Sequence, residues 1–374
     1  MKPPEPLDLK RLRVLPLKER RSLTQVEDIL VAAESTPTRL GDSNQNAVRD
    51  CATAIHRART ANAAVILMYG AHLLRNGAAL ILDEMMRHGW LTHVATNGAG
   101  TIHDWEYAWL GASTESVEEN VAAGTFGTWE ETGRSIHLAL LAGGLRSEGY
   151  GAALGRFIHE DGTVIPSTDE LLHQIRTQRI HALTLARAEL LNAMQQHEER
   201  ILPGRHEVLH RWKHGSILAS AFRHGIPATV HPGIGYDIIS CHPMFNGAVI
   251  GRAAELDFKL FAGAVDNLDG GVVLSIGSAI MAPQVFEKSL SCVHNIRFQQ
   301  GRPPVRDFSI FVVDLQDGSN WDWSQGEPPK EHPAYYLRFC KSFSRMGGAM
   351  RYVQCDNVAF VHNLLHELRR IPAA

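Results

Sequence analysis

Short apolar runs recur along this chain between longer stretches of helical period, and most of the runs are continuous rather than alternating. Those at 64–68, 92–96, 228–231, 272–276, 309–315 and 351–355 read as strands buried on both faces. The stretches at 79–88, 134–141, 184–197, 216–223, 256–268 and 358–370 carry the helical period, with Gly89 and Gly225 just past two of their ends, where glycine relieves left-handed strain. The alternation predicts an α/β fold with a doubly wound, mostly parallel sheet and helices on both faces.

Residues 1–45 read differently. They are rich in Pro, Lys and Arg, and Ser22-Leu23-Thr24-Gln25 before Val26, Ile29, Leu30 and Ala33 forms a capping box ahead of one apolar helical face. We expect an N-terminal extension with one helix, packed on the main domain at 46–374 or on a neighbouring subunit. The segment 317–333 is a long irregular loop with two tryptophans, and ordered loops of that length are often functional.

Composition narrows the class. The 374 residues hold 37 Lys+Arg against 40 Asp+Glu, a formal charge of −3, without the basic excess that nucleic-acid binding demands. Five scattered cysteines with no C-x-x-C pair read as reduced thiols of a cytoplasmic protein. The N-terminus lacks the apolar run of a signal peptide, and the longest apolar stretch, 63–69, is far short of the roughly 18 residues of a membrane span.

The chemistry-bearing motifs are few. His206-Glu207-Val208-Leu209-His210 matches the H-E-x-x-H of zinc peptidases, but Pro203-Gly204 precedes it and His214 has the wrong offset for a third ligand, so we read a polar turn and expect no metal site. His362 and His366 share that spacing on a C-terminal helix and are expected to face solvent. Three glycine clusters follow strand candidates: Asn97-Gly98-Ala99-Gly100, Pro232-Gly233-Ile234-Gly235-Tyr236-Asp237 and Gly277-Ser278-Ala279. None completes G-x-G-x-x-G, yet three at strand ends suggest a nucleotide crevice, with Asp317 and Asp356 able to accept ribose hydroxyls. Lys341 lies among Tyr336, Phe339, Cys340 and Phe343. Burial there would leave a neutral, nucleophilic amine, and the plainer reading is a snorkelling lysine or a partner of the acidic loop.

From about Ala63 to Arg370 the order of motifs resembles the deoxyhypusine synthase family. Gly70 to Gly77, a helix and then Thr96 to Asp104 look like its T-S-N-L-x-S-S-G and T-T-A-G-G-x-E-E-D. Pro232 to Asp237 is similar to D-G-S-L-G-D, Asp317-Gly318-Ser319 to D-G-S, and Asp356 to the Asp of Y-A-D-A-S. Pro333 and Lys341 keep the spacing of the family's proline and imine-forming lysine. The resemblance implies a Rossmann-like fold, a homotetramer and bound NAD. Lys341 would be catalytic, Asp237, His103, Asp104 and His242 would meet the substrate, and Gly98, Gly100, Gly277, Ser278, Asp317, Gly318, Ser319 and Asp356 would meet NAD.

Departures fall on the substrate side. Pro232 and His103 each replace a carboxylate, and Ala282-Pro283 replace a histidine pair, so spermidine transfer to a protein lysine is not expected. We expect an NAD-dependent transferase acting on a small amine or amino acid through a lysine imine. His103-Asp104-Trp105-Glu106, Gly124 to Gly127 and Glu130 also resemble archaeal-type ornithine cyclodeaminases, which use NAD. A cyclodeaminase-like or homospermidine-synthase-like enzyme is therefore an alternative, and a non-catalytic nucleotide-binding scaffold another.

Overall fold

The computed structural model describes residues 3–372. Six parallel strands form the central sheet: β1 (Val65–Tyr69), β2 (His93–Asn97), β3 (Ala228–His231), β4 (Val272–Ile276), β5 (Ser309–Asp314) and β6 (Ala349–Gln354). Their order is β6-β5-β4-β1-β2-β3, with Leu67 of β1 between Val94 of β2 and Leu274 of β4. This is the doubly wound Rossmann-like order, in which successive connections run one way from β1 to β3 and the other way from β4 to β6. The reversal puts a crevice beyond the carboxyl ends of β1 and β4.

Alternation along β1 explains why its run is wholly apolar. Val65, Leu67 and Tyr69 enter one hydrophobic cluster with Ile55, Leu82 and Phe360. Ile66 and Met68 enter the other with Phe261, Phe286 and Phe343. Helices Asp42–Thr60, Ala79–Arg87 and Asn357–Arg370 cover the first face, and Gly247–Asp266, Met281–Gln299 and Arg338–Ser344 the second. Among the described residues no helix is long and apolar enough to cross a membrane.

The N-terminal helix does not form as expected. Thr24–Gln25 instead pairs antiparallel with Ala112–Ser113, and of the expected helix the single turn Val26–Ile29 forms. The Ser22 hydroxyl, expected to cap a helix, instead accepts from Arg20 Nε at 3.3 Å and Nη2 at 3.2 Å, while the Thr24 hydroxyl bonds Ser113 O at 2.9 Å and Tyr107 Oη at 2.7 Å. Leu17 and Val26 lie in the main core, and helix Asp42–Thr60 runs through residue 45. His362 is buried rather than solvent-facing, and His366 Nε2 is 3.1 Å from Ser35 O, so the C-terminal helix turns that face onto the N-terminal segment.

Candidate active site

Helix Gly98–Leu110 starts directly at the end of β2, where Asn97 Oδ1 accepts the Gly100 N–H at 2.9 Å. Ala99, Ile102, His103 and Glu106 recur on one helical face and line a cavity of about 250 Å³. Asp237 and Tyr236 close it from the loop after β3, and Arg75 from the short helix Ala71–Arg75 after β1. The site thus gathers the carboxyl ends of three adjacent strands.

Asp237 is 5% exposed, and its Oδ2 accepts the Gly233 N–H at 2.7 Å. Burial pushes its pKa up to about 6, a rise that the Gly233 N–H opposes. Arg75 makes no hydrogen bond or ion pair among the described residues, and its Nε is buried without a partner. Glu115, also on the cavity wall, is already occupied by Trp129 Nε1 at 3.0 Å and Asn120 Nδ2 at 2.6 Å. One cation and one carboxylate in this cavity therefore retain free bonding capacity.

His103 Nδ1 lies 2.7 Å from Ser113 Oγ, which donates to Glu106 Oε2 at 2.5 Å. Glu106 is held by Arg20 through two bonds of 2.8 Å, in an ion pair whose side chains are 2% and 1% exposed. Burial lowers the His103 pKa to about 4 against the pull of Glu106, so the imidazole is neutral near pH 7.

Other expected site residues are committed elsewhere. Asp104 points away from the cavity and caps helix Ile217–His224, accepting Ile217 N at 2.7 Å and Ser216 Oγ at 2.5 Å. A side chain next to His103 in a helix must leave on another face. His242 is buried 3.5 Å from Glu130 and stacked on His137, and it does not line the cavity. Lys341 Nζ sits 3.5 Å over the Tyr335 ring and 3.4 Å from Glu327 Oε2. The unpaired, desolvated amine is not found, because a carboxylate and an aromatic face receive the ammonium while Tyr336 turns out to solvent at 73% exposure.

The expected cofactor residues divide. Gly98 and Gly100 make room for protein: a Cβ on them would lie 2.0 Å from Asp237 Oδ2 and 2.2 Å from Thr96 Oγ1. Asp356 Oδ1 caps the last helix at Ala359 N, 2.8 Å away. Gly318 packs on the Tyr352 ring, while Asp317 Oδ1 accepts Ser319 N at 2.8 Å in an exposed turn. Gly277, with φ +57°, stands at the crevice itself, followed by the buried Ser278. A Cβ on Gly70 would meet Gly277 O at 2.0 Å, and one on Gly277 would meet Asn357 Nδ2 at 2.5 Å. Asn357 Oδ1 is buried there without a partner.

The H-E-x-x-H match fails for a structural reason. Gly204–Glu207 is a strand paired with Gly162–Ile165, and His210 is buried edge-on to Phe157 and Trp105. Sequence reasoning missed Arg75, Arg20 and Ser113 as site residues. The 99/102/103/106 spacing after a strand was the available signal for the cavity face, but nothing marked which arginine would reach it.

No protein-family profile and no curated protein sequence matches the chain. Among solved structures, AgrE in a ternary complex with ornithine and NAD+ is similar with a TM-score of 0.42 and 12% identity, covering 90% of this chain and 34% of that one. The chain therefore spans about a third of the length of AgrE. A protein from Methanococcus maripaludis S2 assigned to LOR/SDH gives 0.43 and 13%, covering 91% and 74%. One from Entamoeba histolytica assigned as a deoxyhypusine synthase gives 0.30 and 7%, covering 74% and 80%. The deoxyhypusine synthase family is not shown by these values.

Proposed function

We propose that this chain is an NAD-dependent enzyme that oxidises a small amino acid at the carbon bearing its amine. The observation that carries the reading is the pairing, in one cavity, of the unpartnered Arg75 with the singly bonded Asp237. A zwitterion satisfies both, whereas a ligand of one sign would leave a buried charge unpaired. Arg75 would receive the substrate carboxylate and Asp237 its ammonium.

The crevice fits NAD. The reversal of strand order between β1 and β4, the left-handed turn at Gly277 beside it and the orphaned Asn357 Oδ1 suit a dinucleotide at this place. Gly277, Ser278 and Asn357 would hold it, with Asp317 and the free Asp356 oxygen toward ribose. NAD, when bound, supplies the hydride acceptor.

The protein's own part is binding and proton transfer. The substrate ammonium must lose one proton as its carbon loses hydride, giving an iminium. His103, neutral and on the cavity wall, is the group that takes that proton, with the Glu106 carboxylate behind Ser113 favouring the imidazolium against the burial that disfavours it. A substrate with a second amine would allow ring closure and release of ammonia, the cyclodeaminase variant of the same reading.

Incubation of the protein and NAD with a panel of amino acids, led by L-ornithine and L-arginine, tests the proposal. Reduced nicotinamide or free ammonia should form with at least one of them. Neither product from any amino acid would overturn the reading and leave a nucleotide-binding scaffold in its place.

A further inference from the structure

Resting on the reading that His103 takes the substrate proton, we infer that Ser113 and Glu106 are positioning residues that lock His103 in the tautomer protonated on Nδ1, leaving the Nε2 lone pair as the base. The chain of hydrogen bonds fixes the direction of every proton. Arg20 is a pure donor and places two N–H groups on the two Glu106 oxygens, each at 2.8 Å. The Thr132 hydroxyl adds a third bond, to Oε1 at 2.9 Å. A proton on Glu106 would have to sit against those guanidinium N–H groups, so Glu106 accepts throughout.

The Ser113 hydroxyl has one hydrogen. At 2.5 Å from Glu106 Oε2 it is spent there, on the ionised and therefore stronger acceptor. Ser113 Oγ then has only lone pairs to offer His103 Nδ1 at 2.7 Å, and the imidazole must supply the hydrogen. A neutral imidazole carries a single N–H, so Nε2 is bare. The Thr24–Gln25 and Ala112–Ser113 ladder holds Ser113 in place by pairing its backbone with that of Thr24. Arg20 and Thr24 both come from the N-terminal segment, which thus belongs to the site rather than to an appendage.

The test reads the tautomer itself and needs no substrate. Ring nitrogens of the ¹⁵N-histidine-labelled protein are observed by NMR at neutral pH, with the His103 signals identified by their loss in His103→Gln. His103 should carry its proton on Nδ1 in the parent protein. Ser113→Ala should release it to a mixture of tautomers, and Ser113→Thr, which keeps the hydroxyl, should restore the parent pattern. A parent protein protonated on Nε2, or a tautomer unchanged in Ser113→Ala, would overturn the inference. A locked tautomer in a protein that oxidises no amino acid would instead count against the catalytic reading alone.

Discussion

Gly98 and Asp237 occupy space that only a glycine leaves open: a Cβ at position 98 would fall 2.0 Å from Asp237 Oδ2. The first residue of a helix thus sets where the carboxylate of a distant loop can stand on the cavity wall. Gly98→Ala should therefore push the Asp237 carboxylate aside and leave the helix intact. Losing one charge-assisted hydrogen bond of about 1.5–3 kcal/mol should weaken amino-acid binding roughly tenfold or more, as measured by calorimetric titration. An unchanged affinity would remove Asp237 from the site.

The Arg20–Glu106 pair is buried on both sides. Removing one partner of such a pair costs about 3–5 kcal/mol, because the other charge is left stranded. Glu106→Leu and Arg20→Met should each show a large loss in urea denaturation, and the double substitution Arg20→Met with Glu106→Leu should be less damaging than the sum. Strict additivity would mean that the two side chains do not interact.

Acid should destabilise the fold well above the range in which ordinary carboxylates titrate. Burial lowers the pKa of His93 to about 3 and of His103, His137, His210 and His231 to about 4, against 6.5 for an ordinary histidine. The unfolded chain takes up these protons as pH falls below about 6.5 while the folded one refuses them, so stability falls with pH through this window. Asp104 and Asp237, raised to about 6, and Asp257, raised to about 7, from 3.8 act oppositely. The stability they contribute is present at low pH and lost as pH rises through those values. Five histidines outweigh three aspartates, and the urea midpoint should be lower at about pH 5 than near neutrality. A midpoint that rises on acidification would show the aspartates to dominate.

Lys341 offers a separation of mechanisms. Lys341→Arg keeps the charge beside Glu327 but cannot form an imine. It should leave amino-acid oxidation and stability near the parent values, and borohydride should trap no substrate on Lys341 of the parent protein. Loss of oxidation, or a trapped adduct at Lys341, would restore the group-transfer chemistry implied by the deoxyhypusine synthase resemblance.

All six strands were legible because burial on both faces writes a continuous apolar run, and their observed ends lie within two residues of the sequence reading. Helix Gly247–Asp266 was read nine residues short at its start, since its cap is Asn246, whose side chain bonds Ala248 N and Val249 N, and no change of period announces it. The N-terminal segment was misread because the Ser22 hydroxyl looks the same in sequence whether it caps a helix or accepts from the Arg20 guanidinium. His103 and Asp237 were singled out through the deoxyhypusine synthase resemblance, and both line the cavity. Asp104 and His242 were not separable from them, because sequence gives the neighbourhood and only the helix phase and loop path decide which side chain faces the cavity. Arg20 and Arg75 come together through packing across the chain, which no local pattern records.

The central claim is that Arg75 and Asp237 together recognise a zwitterion. Equilibrium binding in the presence of NAD should be compared for an amino acid that binds, its carboxamide and its des-amino acid, on the parent protein, Arg75→Met and Asp237→Asn. The parent should bind the amino acid about tenfold or more tightly than either analogue. Arg75→Met should erase the preference over the carboxamide alone, and Asp237→Asn the preference over the des-amino acid alone. Analogues that bind the parent protein as tightly as the amino acid would contradict the claim.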